Sequence, residues 1–147
     1  MSEDSITVTD SIDTTSMPID DHARRLIDVL VEAAHTMQGE EIRAITVGHR
    51  LVFTDAFVIV TADNTRLARA ICREMVDAAL EAGWKRPRVE ETDDATWTLL
   101  DFGDVIAHVM TAEARDFYAL ERLWADGASV SLTHILSRDS VNAAPHR

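Results

Sequence analysis

A single cysteine, Cys72, among 147 residues excludes any disulfide within the chain and points to a reducing compartment. Basic residues are scarce as well: 14 Lys and Arg stand against 26 Asp and Glu, a formal charge of −12. Such a field repels phosphate backbones and attracts basic surfaces, so extensive direct binding to nucleic acid is not expected and a basic protein is the favoured partner. Solubility alone accounts for the charge equally well. The first 21 residues hold Glu3, Asp4, Asp10, Asp13, Asp20 and Asp21 without one Lys or Arg, the opposite of the basic start of a signal peptide. Long apolar runs are also missing. Ala56 to Val60 and Val105 to Ala107 fall far short of the roughly 20 residues that cross a bilayer, so no membrane association and a cytoplasmic location are expected. There is no internal repeat and no heptad array.

The apolar content of 46% is enough for one domain with its own core. Residues 1–19, rich in Ser, Thr and Asp, read as a disordered acidic leader, residues 20–127 as the domain, and residues 128–147 as a flexible tail. From Asp21, the spacing of Leu26, Val29, Leu30, Ala33 and Met37 predicts a helix stopped by Gly39. Alternation over Ile42 to Val47 predicts a strand, and the continuous Ala56 to Val60 predicts a central strand covered on both faces. Leu67, Ile71, Met75 and Ala78 mark a second helix, capped by Asp63 or Asn64 and ended by Gly83. A short strand through Val89, a polar loop from Glu91 to Ala95 and a hairpin of Trp97 to Asp101 with Val105 to Met110 follow. Ala112 to Trp124 reads as a third helix with Phe117, Leu120 and Trp124 toward the core and Tyr118 and Glu121 on a flank. The order α, β, β, α, β, β, β, α predicts an α/β domain, one mixed sheet with helices mainly on one side.

If Phe102-Gly103 is the whole hairpin turn, Leu99 pairs with Ile106 and Trp97 with His108, but Phe102 then needs a positive φ that a longer loop would relieve. In that register Trp97, Leu99, Ile106, His108 and Met110 share one face, and Leu100, Val105, Ala107 and Val109 the other. Both faces are apolar. Left uncovered, the first would present an aromatic and a methionine to a partner; covered by a helix, it is ordinary core.

Chemistry finds little to hold. Asp101, Asp104 and His108 have ligand-type side chains near one turn, yet acidic residues at a turn usually solvate it, and no metal or cofactor is expected. No hydroxyl or thiol nucleophile is placed beside His108. Cys72 sits on the apolar stripe of its helix and reads as a structural thiol. Arg66, Arg69 and Arg73 form a basic ridge at helical spacing, by default a solvated face with local ion pairs.

Three stretches carry a family resemblance: Asp55 to Thr61 with Asn64-Thr65-Arg66, Trp97 to Met110, and Arg115 to Trp124. Together they resemble the iojap-like ribosomal silencing factor family over about residues 22–126. The resemblance implies a nucleotidyltransferase-like fold without that superfamily's catalytic acids, a homodimer when free, and no enzymatic activity. It further implies a translational repressor that binds a large-subunit ribosomal protein at the subunit interface and blocks joining of the small subunit. Carried across, Trp97, Met110 and Tyr118 become apolar anchors, Asp101, Asp104 and Glu121 face basic side chains, and His108 belongs to the same face. Core or dimer contacts are the alternative for Trp97 and Tyr118. The chain departs from the family pattern at Ala62, where Gly is usual, at Leu67, where Gln is usual, and at Glu91, where Gly is usual. Two other functions compete: a small metal-dependent nucleotidyltransferase, whose Gly-Ser and Asp-x-Asp signatures are missing between Ile42 and Arg66, and a dimeric interaction module with another protein partner.

Overall fold

The computed structural model describes residues 21–47, 54–123 and 129–137, the side chains of Glu121 and Leu123 excepted. The expected leader, Gly48, Trp124 and Gly127 lie outside the described residues. Helix α1 (Asp21–Thr36) buries Leu26, Ile27, Leu30, Val31 and Ala34 at the three- and four-residue spacing of one helical face. Gly39 does stand at its end, but for a steric reason. The left-handed residue is Gln38 (φ 68°), while a Cβ on Gly39 would lie 2.6 Å from Val60 Cγ1 and 3.0 Å from the Ala34 carbonyl oxygen.

Among the described residues five strands follow: β1 (Glu40–Thr46), β2 (Ala56–Ala62), β3 (Arg88–Glu91), β4 (Trp97–Asp101) and β5 (Val105–Thr111). They form one sheet in the order β1-β2-β5-β4-β3. Only β2 and β5 run parallel, joined through helix α2 (Thr65–Glu81) and the β3–β4 pair. Every residue of these two central strands is buried, as the unbroken apolar run of β2 demands. At the β2–α2 corner, Asn64 caps the helix by accepting the Leu67 backbone N–H at 2.8 Å.

The two long helices cover one face of the sheet. Leu26, Ile27, Leu30, Ile71 and Met75 pack there against Val58, Val60, Leu100 and Val109. The opposite face carries a smaller cluster of Ile45, Val47, Phe57, Ile59, Ile106 and Met110, closed by Ala114 of α3 (Ala112–Tyr118) and Leu120 of α4 (Leu120–Leu123).

The expected third helix is therefore two helices. Thr111 starts α3 by accepting the Ala114 N–H, and Ala119 ends it in the left-handed region (φ 46°, ψ 49°), its N–H bonded to the Arg115 carbonyl. In a continuous helix, residues 117 and 120 would share a side. The break turns Leu120 into the core and leaves Phe117 80% exposed, which corrects the core assignment of Phe117.

The hairpin register is shifted by two residues from the one expected with a Phe102-Gly103 turn: Leu99 pairs with His108 and Trp97 with Met110. Phe102 donates its N–H to the Val105 carbonyl at 3.0 Å, so the turn residues are Gly103-Asp104, with the positive φ (94°) at glycine and none required of Phe102. A shift of two preserves the side-chain faces, so the sharing of faces read from the sequence stands although the pairs change.

Part of the expected tail is docked. Ser129 bridges Ile45, Val130 donates to the Ala44 carbonyl at 2.8 Å, and Leu132 and Ile135 are buried in the α1-side core. Two apolar residues on one helical turn are too few for a periodicity signal.

Candidate functional site

Strand β4 alternates between half-buried and buried positions, with Trp97, Leu99 and Asp101 on the face opposite α1 and α2. α3 and α4 cover that face over β2 and β5 but leave Trp97 and Leu99 only partly covered. Rings connect the core to the surface. Phe57 meets His108 edge-on at 4.6 Å, Trp97 lies 5.9 Å from His108 and 4.6 Å from Tyr118, and Phe117 meets Tyr118 edge-on at 5.0 Å. Tyr118 is 43% exposed, and with Phe117 and the uncovered part of Trp97 it forms an aromatic ledge. Exposed clusters of this composition are the apolar anchors that protein interfaces use.

The ledge is held in place by its neighbours. Trp97 Nε1–H donates to His108 Nδ1 at 3.1 Å, which fixes the neutral ring with its proton on Nε2. Burial pushes the His108 pKa down to about 4. Before Trp97, a polar loop is tied by Asp94, whose carboxylate accepts from the Thr92 hydroxyl (2.9 Å) and from the Thr96 hydroxyl (2.7 Å) and N–H (3.2 Å). Those bonds hold the Asp94 carboxyl below its usual pKa. The Thr92 hydroxyl also accepts the Trp97 N–H at 3.2 Å, so the loop sets where the indole emerges.

The seven residues singled out from the sequence have unequal standing. Trp97 and Tyr118 share the ledge. Met110 does not: it is fully buried beneath α3 and α4, which removes it as a solvent-facing anchor. His108, 3% exposed, supports Trp97 from below rather than presenting its own surface. Asp104 is exposed, and half-exposed Asp101 accepts the Gly103 N–H at 2.8 Å within the turn. The Glu121 side chain lies outside the described residues.

Other residues on this face were not found from the sequence. Glu90 pairs with Leu99, hence faces the same side, and with Trp97 and Thr92 borders a shallow recess of about 240 Å³. Its signal was the alternation of edge strand β3, only four residues long. Phe117 was missed because the left-handed break at Ala119 has no glycine to announce it.

Asp101, Asp104 and His108 do not converge; among the described residues no group of three ligand-type side chains could hold a metal ion. Cys72 is half-buried, and burial pushes its thiol up to about 11, the reverse of nucleophile activation. Of the basic ridge, Arg66, Arg69 and Arg73 are all exposed, and Arg69 approaches Glu91 at 4.0 Å.

These features define a class: a small mixed α/β domain with one sheet face closed by two helices and the other half open behind an aromatic ledge with acidic neighbours. The family model described as "Ribosomal silencing factor during starvation" matches residues 20–147. A ribosomal silencing factor of Halalkalibacterium halodurans is 31% identical over 114 residues, spanning 78% of this chain and 97% of that protein. The mouse protein named mitochondrial assembly of ribosomal large subunit protein 1 is 31% identical over 101 residues, 67% of this chain and 44% of that one. A crystal structure of a Chromobacterium violaceum protein superposes with a TM-score of 0.67 at 27% identity, covering 74% of this chain and 89% of the other. The chain belongs to the ribosomal silencing factor family.

Proposed function

We propose that this protein represses translation by docking its aromatic ledge on a basic protein of the large ribosomal subunit at the subunit interface, which blocks joining of the small subunit. Family membership supports the ribosomal target, and the name of the mouse relative points to the large subunit. The observation that carries the docking reading is the cluster of exposed Phe117 and Tyr118 with partly exposed Trp97, Glu90 beside it and Asp101 and Asp104 further along the same hairpin. Aromatic anchors supply affinity, while the acidic neighbours select a basic partner and speed encounter. In this reading the protein acts in the cytoplasm, without cofactor or catalysis, as a homodimer when free. Occupation of large subunits by the protein under starvation would lower the pool of joined ribosomes.

Sedimentation of the protein with purified large and small subunits tests this. Binding to large subunits alone, weakened about 30-fold by Tyr118→Ala, is the expected result, since an interface anchor of about 2 kcal/mol corresponds to that factor. Equal binding to both subunits, or nucleotide transfer dependent on magnesium and Asp101, would point to another function.

A further inference from the structure

At the end of α2, Ala82 and Gly83 donate to the Ala78 and Leu80 carbonyls and Trp84 to that of Ala79, a double-bonded stop that turns Trp84 toward the start of α1. There Trp84 Nε1–H donates to His22 Nε2 at 3.3 Å, and the Arg25 guanidinium lies 5.8 Å from the indole centre. The chain continues through exposed Lys85 and Arg86, over buried Pro87, to exposed Arg88. Four cations thus meet at one corner of a protein whose net charge is −12. His22, Trp84, Lys85, Arg86 and Arg88 border a depression of about 500 Å³ there. Three carboxylates are close: Asp21 begins α1, Asp101 lies in the same depression, and Glu90 reaches Arg88 at 3.5 Å. Lys85 and Arg86 form no ion pair among the described residues.

We infer that this basic corner contacts the RNA phosphate backbone of the large subunit beside the protein docking site; the inference rests on the docking reading above. Net charge does not decide the matter at this scale, because screening over about 8 Å at physiological ionic strength leaves the local cations dominant. Arg88 is the strand partner of Asp101, four residues along β4 from Trp97, so the Arg88 side of the corner lies roughly 13 Å from the ledge along the sheet, with Arg25 and Trp84 on the α1–α2 side of the same edge. A protein seated by that ledge on a ribosomal subunit, whose surface is largely phosphate, would bring the corner against an anion. Ammonium and guanidinium groups on an exposed loop are the side chains that position proteins on such backbones. Two or three phosphate contacts supplement docking and do not make a free RNA binder.

The test measures large-subunit affinity against monovalent salt at fixed magnesium for wild type, Lys85→Gln/Arg86→Gln and Lys85→Glu/Arg86→Glu. Losing two phosphate contacts should make log K against log salt shallower by about 1.4 and weaken binding about 25-fold at 0.1 M salt. The glutamate pair should bind more weakly still, with the unfolding midpoint of both variants unchanged. An unaltered slope and affinity, or tighter binding by the glutamate pair because the corner faces a basic protein, overturns the inference. Unaltered salt behaviour alongside a normal Tyr118→Ala defect overturns it alone. Failure of wild type to bind large subunits overturns the docking reading as well.

Discussion

Acidification should destabilise this fold through His108. The ring is 3% exposed, its Nδ1 accepts from Trp97, and burial lowers its pKa from 6.5 to about 4. An unfolded chain takes up this proton as pH falls through 6.5, whereas the folded chain resists until about 4. The stabilisation is therefore complete above pH 6.5 and is lost between 6.5 and 4. Two and a half pH units at about 1.4 kcal/mol each amount to about 3 kcal/mol. Surface carboxylates add their own acid dependence, so the informative quantity is a difference. Urea unfolding of wild type and His108→Gln, from pH 7.5 down to 4, should show wild type losing about 3 kcal/mol more than the variant. Glutamine does not titrate here, and its carbonyl offers the indole N–H an acceptor. Parallel stability curves would refute the reasoning, because they would mean that His108 is protonated as readily in the fold as in the unfolded chain.

Other substitutions probe the packing. Gly39→Ala should lower stability by about 1 to 3 kcal/mol in denaturant unfolding, because its Cβ has no room beside Val60. Ala119→Gly should leave stability unchanged or raise it by up to about 1 kcal/mol, since the residue is left-handed; a loss of about 1 kcal/mol, as glycine gives inside a helix, would show that α3 and α4 are continuous. Met110→Ala should cost about 2 to 5 kcal/mol of folding stability, and Phe117→Ala close to none, by thermal unfolding of the two variants side by side.

Much of this architecture was legible because strong periodic signals coincide with burial. The apolar run of β2, the stripes of α1 and α2, and the Asn64 cap all appear where residue spacing put them. Failures fall where backbone geometry overrides pattern. Ala119 adopts a glycine-like conformation without being glycine, so Phe117 leaves the core, and a turn at Gly103-Asp104 moves the hairpin partners by two. The site was half legible for a related reason. Hairpin alternation put Trp97, His108 and Met110 on one face, but exposure depends on where α3 and α4 end, and they cover Met110 while leaving Trp97 at the margin. Net charge hid the basic corner, because Arg25 and Trp84 become neighbours only once α1 packs against α2.

Subunit joining followed by light scattering tests the central claim most directly, with large subunits preincubated with wild-type protein, Tyr118→Ala or Phe117→Ala before small subunits are added. Both side chains are largely outside the core, so the variants should remain folded and any difference reports docking. Wild type should suppress the rise in scattering, and Tyr118→Ala should need about 30-fold more protein for the same suppression. Suppression by folded Tyr118→Ala and Phe117→Ala at the wild-type concentration would contradict the account, because repression would then not run through the aromatic ledge.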